Sequence, residues 1–79
     1  MKNLSVDFLR SFVTIAQTGS YTMCAERLKR TQPAISLQIK KLESQLDRKL
    51  FIKLGQRHVP SADGNWLYAK AKRLLKLND

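Results

Sequence analysis

The chain is 79 residues long, 43% hydrophobic and 27% charged, which is enough for one small domain and not for two. Fifteen Lys and Arg against six Asp and Glu leave a net charge of +9, so a polyanion is the first partner to consider, with DNA, RNA and an anionic membrane surface all open on charge alone. A lone Cys24 and a lone His58 exclude an internal disulfide and a Cys/His zinc set, and no apolar run reaches the roughly 20 residues of a membrane span.

The expectation is therefore a reduced, cytoplasmic protein with no signal peptide, metal or cofactor. Residues Val6 to Thr18 predict a first helix, because Phe8, Leu9, Phe12, Val13, Ile15 and Ala16 keep to one broad face. That aromatic-rich stripe reads as core. Ser5 is a candidate N-cap, Asp7 lies in the first turn and Gly19 ends the helix as a C-cap would. Ser20 is placed to cap a second, short helix from Tyr21 or Thr22 to Leu28, with Met23, Cys24, Ala25 and Leu28 in its interior. Cys24 and Ala25 are small enough to let another helix approach closely, and Cys24 reads as a buried small hydrophobe. Lys29, Arg30 and Thr31 make a basic connection to the next element.

Thr31 can cap a third helix over Gln32 to Leu46, with Pro33 in its first turn, where a missing N–H costs nothing. Ile35, Ile39, Leu42 and Leu46 recur as one apolar stripe. Pro33, Ser36, Leu37, Lys40, Lys41 and Ser44 fall on the far side, a face without an acid. Two helices joined by a short connection make a helix-turn-helix, and a cationic outer face suits the major groove. After a turn at Asp47, Arg48 and Lys49, Leu50 to Leu54 read as a strand, Gly55 and Gln56 as a turn, and Arg57 to Pro60 as the return strand. This is a basic wing. Ser61 then caps a last helix from Ala62 to Leu77, with Asp63 in its first turn. Leu67, Ala71, Leu74 and Leu75 form one stripe, while Trp66 and Leu77 fall on a second face. A helix apolar on two sides wants two partners, its own domain and either a second copy or a further domain.

The segments Gly19-Ser20-Tyr21, Ala25-Glu26-Arg27-Leu28, Gln32-Pro33-Ala34-Ile35-Ser36, Gln38-Ile39, Leu42-Glu43, Leu46, Leu50-Phe51 and Ala62-Asp63-Gly64 resemble the winged helix-turn-helix domain of LysR-type transcriptional regulators. The match keeps its spacing over nearly the whole chain. The resemblance implies a mainly α fold of three helices and a two-stranded wing in residues 1–60, followed by a long linker helix in residues 61–79. It also implies binding to double-stranded DNA at a partly palindromic site as a homodimer paired through the linker helix. Members of the family are several times longer, so the effector-binding domain is absent from this chain, which is expected to be the DNA-binding fragment of a longer regulator. There are departures. Asp47 stands where the family usually has Gly, which points to a reshaped turn or a left-handed Asp. Lys53 replaces the usual Arg and loses the guanidinium fork. Leu37 stands where many members carry a polar residue, and Pro60-Ser61 replaces Leu-Thr while keeping the capping hydroxyl.

Two kinds of DNA contact are expected. Gln32 is the first candidate for reading a base, since its amide can pair bidentately with adenine, and Ser36 can reach either kind of base. Pro33 and Leu37 are apolar and outward-facing, suited to a thymine methyl. Phosphate contacts are expected from Ser20, Arg30, Thr31, Lys40, Lys41, Lys53 and Arg57. Gln38 sits at the edge of the polar face, where a structural role competes with base reading. Lys70, Lys72, Arg73 and Lys76 read as solvated surface. Dimerisation is expected from Leu67, Ala71, Leu74 and Leu75. Catalysis has no support, since no facing carboxylates, Gly-rich phosphate loop or Ser/His/Asp set is present. The alternative function is a helical interaction fragment that pairs with a longer regulator. RNA binding lacks exposed stacking aromatics, because Phe8, Phe12 and Phe51 lie on apolar faces.

Overall fold

The computed structural model describes residues 4–76. Its elements run α1 (Val6–Thr18), α2 (Tyr21–Leu28), α3 (Gln32–Leu46), β1 (Phe51–Leu54), β2 (Arg57–Pro60) and α4 (Ala62–Leu74). Every helix starts on a hydroxyl. Ser5, Ser20, Thr31 and Ser61 accept from the backbone N–H groups of Phe8, Met23, Ala34 and Gly64 at 3.3, 3.0, 3.2 and 3.0 Å. Each bond satisfies one of the donors that a helix start leaves without an internal partner.

The helix ends follow a different rule. Gly19 closes α1 with φ 75°, as expected of a glycine C-cap. Lys29 and Asp47 adopt the same left-handed conformation at φ 57° and 53° without being glycine. Each costs roughly 1–2 kcal/mol of backbone strain. A paired set of end-capping bonds offsets that cost: Lys29 and Arg30 donate to the carbonyls of Glu26 and Ala25, and Asp47 and Arg48 to those of Ser44 and Glu43. The left-handed alternative for Asp47 is the one the chain adopts.

The core gathers Phe12, Ile15, Cys24, Ile35, Ile39, Leu42, Leu50, Leu67 and Ala71, all buried. The α1 and α3 stripes therefore face one another as their periodicity requires. Met23 does not join them. It is 45% exposed, because two turns of α2 bury only Cys24 and Ala25 fully.

The wing is an antiparallel hairpin in the register Phe51↔Pro60 to Leu54↔Arg57, turned at Gly55 (φ 60°) and Gln56. Leu50, expected as its first strand residue, stays outside the ladder. Its N–H donates to Glu43 Oε2 at 2.8 Å and its carbonyl accepts from Ser61 N–H at 2.9 Å, so both backbone groups are already used.

The last helix stops at Leu74, with Leu75 as its C-cap, three residues before the expected Leu77, which lies outside the described residues. Leu67 and Ala71 are fully buried in the same core as α1 and α3. This corrects the expectation that they form part of a dimer surface, since they have no surface to offer. Leu75 packs partly against that core, and Trp66 and Leu74 remain exposed.

Candidate nucleic-acid interface

The outer face of α3 begins with Gln32 and Pro33, both exposed in the first turn after the Thr31 cap. Gln32 Nε2 donates to Ser36 Oγ at 3.1 Å. This i, i+4 bond joins the two polar groups expected to read bases into one unit, and leaves the Gln32 carbonyl oxygen as an acceptor and the Ser36 hydroxyl as a donor for a partner. Leu37 is 53% exposed on the same face and so is accessible to a partner. Lys40 and Lys41 are exposed farther along the helix.

Gln38 turns the other way. Its Oε1 accepts a hydrogen bond from the hydroxyl of Ser11, a buried residue of α1. The bond locks α3 against α1, which favours the structural role over base reading.

The cationic candidates divide. Lys53 projects from β1 into a cleft of about 330 Å³ between α3 and the wing, which Gln32, Ser36 and Lys40 also line. Two residues that sequence reasoning missed, Tyr21 and Lys49, line the same cleft. The first helical position after the Ser20 cap and a lysine just before a strand were the available signals, but neither shows where the chain brings it. Arg57 goes elsewhere. Its Nη1 donates to the Thr18 carbonyl at 3.4 Å, and its side chain lies over Gly19 closely enough that a Cβ there would meet Arg57 Cγ at 2.7 Å. Arg57 is thus folded onto the α1–α2 turn while remaining exposed. Arg30 lines a separate hollow with Asp7 and Arg10 beside Gln38. Ser20 and Thr31 use their oxygens as helix caps, which leaves each hydroxyl proton available to a phosphate.

The electrostatics fit a neutral-ring, cationic-rim site. Burial, with a contribution from the Glu43 carboxylate, pushes the Tyr21 hydroxyl up to about 12, so it holds its proton throughout the ordinary pH range. Burial and the nearby Lys53 lower the pKa of His58, keeping its ring neutral at pH 7. Burial also raises the Cys24 thiol to about 11. Among the described residues no group of three or more His, Cys, Asp or Glu side chains could hold a metal ion, and no helix is long and apolar enough to cross a membrane. On α4, Lys70 lies over the Trp66 ring and Lys72 over the Tyr68 ring, each at 5.3 Å. Such contacts hold the ammonium groups along the helix surface.

The family model described as bacterial regulatory helix-turn-helix protein, lysR family, matches residues 6–65. The HTH-type transcriptional regulator DgdR of Burkholderia cepacia is 40% identical over 78 residues, covering 99% of this chain and 26% of DgdR. PecT of Dickeya dadantii, also an HTH-type transcriptional regulator, is 32% identical over 77 residues, covering 98% of this chain and 24% of PecT. Among solved structures, the complex of the BenM DBD with catB site 1 DNA superposes with a TM-score of 0.87 at 30% identity, covering 91% of this chain and 80% of that one. The CbnR DBD–DNA complex gives a TM-score of 0.86 at 28% identity, with 91% and 83% covered. The chain spans about a quarter of the length of DgdR and of PecT.

Proposed function

Because the chain belongs to the lysR family of bacterial regulatory helix-turn-helix proteins, we propose that it binds double-stranded DNA by sequence, as the DNA-reading part of a cytoplasmic transcriptional regulator. The observation that carries this reading is the single cleft that sets Gln32 and Ser36 of α3 beside Lys40 and Lys53. Base-reading groups and phosphate-binding groups lie together there. On this reading α3 enters the major groove, with Gln32 pairing to adenine and Leu37 and Pro33 covering a thymine methyl. The wing runs along the backbone or the minor groove through Lys53.

Selection of bound duplexes from a random library, run beside Gln32→Ala and Leu37→Ala, tests it. Each substitution is expected to relax preference at one position, by about 1–3 kcal/mol for a lost bidentate pair. Binding is also expected to weaken by orders of magnitude between low and physiological salt. Enrichment of no sequence, or an affinity indifferent to salt, would defeat the proposal. The competing idea of a helical interaction fragment loses its main support, since two of the residues meant to form its stripe, Leu67 and Ala71, are inside the core.

Pairing of two copies through α4 is part of the proposal. With Leu67 and Ala71 buried, the contact falls to Trp66, Leu74 and the partly exposed Leu75. Sedimentation of wild type and Leu74→Lys at increasing concentration tests it, with a weak dimer expected for the former and monomer for the latter. Wild-type protein that stays monomeric at every concentration would exclude pairing through this fragment alone.

A further inference from the structure

Tyr21 is built into the cleft by its ring and not by its hydroxyl. The ring meets Phe51 at 6.1 Å with planes inclined by 67°, and His58 at 4.6 Å with planes inclined by 63°. Both are edge-on contacts of the kind aromatic quadrupoles favour. Phe51 in turn leans on Phe12, at 5.2 Å, so the ring of Tyr21 is joined to the core through a chain of aromatics. A phenylalanine would fill the same place.

The hydroxyl has no such explanation. Within the described residues no buried side-chain oxygen or nitrogen lacks a partner, and the Tyr21 hydroxyl makes no hydrogen bond, so its oxygen is reached by solvent at the cleft surface and is open to a ligand. Glu43 is the nearby carboxylate, and its Oε2 already accepts the Leu50 N–H. The surroundings are cationic. Lys40, Lys49 and Lys53 line the cleft with Tyr21, against the single acid Glu43. A donor that keeps its proton, set among three ammonium groups, is suited to an anionic oxygen.

We propose that the Tyr21 hydroxyl donates a hydrogen bond to one phosphodiester oxygen of bound DNA in the cleft between α3 and the wing. This rests on the DNA-binding reading above and adds to it an uncharged backbone contact. A phosphate is favoured over a base edge because Tyr21 stands on the first turn of α2, next to the Ser20 cap, whereas the base-reading groups lie on the outer face of α3. Lys53 and its neighbours neutralise the phosphate, and the hydroxyl fixes where along the strand it sits.

Tyr21→Phe tests this, since it keeps the ring contacts and deletes only the oxygen. Binding is measured by salt titration on a short mixed-sequence duplex and on the duplex enriched by selection. Tyr21→Phe is expected to weaken both by about three- to tenfold, the net worth of one ordinary hydrogen bond at a solvent-accessible site. The slope of log affinity against log salt stays unchanged, because no charge is removed. Lys53→Gln, by contrast, is expected to lower the magnitude of that slope by about 0.9, one phosphate's share. Replacing phosphates one at a time by methylphosphonate, with wild-type protein and with Tyr21→Phe, should show one position where the two proteins become equal. Equal affinity of Tyr21→Phe and wild type at every salt concentration would overturn the hydroxyl's role and leave DNA binding intact. A loss confined to one base-pair identity would overturn the phosphate assignment. Failure of wild type to bind either duplex would instead overturn the DNA-binding reading itself.

Discussion

Replacing Gly64 by alanine should destabilise this protein even though alanine is the better helix former. Gly64 is buried in the first turn of α4, directly against the segment that leads into the wing. A Cβ added there would overlap the Leu50 carbonyl oxygen and stand 3.1 Å from Pro60 Cβ and 3.2 Å from the Leu50 carbonyl carbon. The obstacle is backbone, which cannot rotate away. Helix α4 would have to retreat by on the order of 1 Å to restore ordinary separations. Retreat pulls the Ser61 N–H from the Leu50 carbonyl, a bond of 2.9 Å, and loosens the Ser61 hydroxyl from the Lys49 carbonyl at 2.6 Å. Overpacking of this kind costs roughly 1–3 kcal/mol, and the strained hydrogen bond about 1 more. Helix propensity returns about 1 kcal/mol. The balance is a loss of about 2 kcal/mol, which for a domain of this size lowers the melting temperature by about 8 to 16 °C. Thermal and urea unfolding followed by circular dichroism measure it, with Asn65→Ala, one residue farther and exposed, as the control expected within about 0.5 kcal/mol of wild type. A Gly64→Ala protein as stable as wild type would refute the close approach of α4 to the wing base.

Glu43→Ala is expected to cost about 1–3 kcal/mol, because it leaves the N–H of fully buried Leu50 without an acceptor, while Glu43→Gln keeps an acceptor and recovers most of the loss. The same urea titration reads both, and equal stability of the two variants would contradict the assignment. Acidification is expected to weaken the fold through His58. Its folded pKa lies below the ordinary 6.5, so the unfolded chain binds a proton first and stability falls as pH drops below about 6.5, an effect that His58→Gln should flatten. Cys24 has no exposed surface and its thiol is raised to about 11, so a thiol reagent at pH 8 should modify it only as fast as the chain opens. Rapid labelling without denaturant would show that this part of the core is looser than its packing suggests.

Local signals carried most of the fold. The hydroxyls at Ser5, Ser20, Thr31 and Ser61 stand just ahead of apolar runs with helical period, and each became a cap. What stayed hidden depends on residues far apart in the chain. Nothing in a lysine marks Lys29 as left-handed, since the paired bonds from Lys29 and Arg30 to α2 carbonyls produce that conformation. The α4 stripe was legible as a stripe, but periodicity does not say whether a core or a second copy covers it, and Leu67 and Ala71 went to the core. The tie between Ser11 and Gln38 spans 27 residues. In the candidate site, the outer face of α3 was readable because one helix holds it. The cleft was not, because it draws on α2, α3 and both strands of the wing.

That division has a mechanical side. A hairpin with strands of four residues is marginal by itself and has no fixed angle to α3. Contacts made outside its own ladder supply the angle. At the entrance, Glu43 of α3 holds Leu50 N–H, and at the exit Ser61 of the α4 cap holds the carbonyl of Lys49. From the side, the His58 N–H donates to the Gly19 carbonyl at 3.0 Å and Arg57 reaches the Thr18 carbonyl, both at the turn between α1 and α2. Three helices thus hold the wing through side-chain and backbone groups near their ends, and one of these groups, Glu43, also lines the cleft. The placement of Lys53 relative to Gln32 and Ser36 depends on these ties. The width of the cleft is therefore a property of the caps and turns, so a change at Gly19, Glu43 or Ser61 is expected to act on DNA affinity through geometry, read as a lower affinity in the same salt titration.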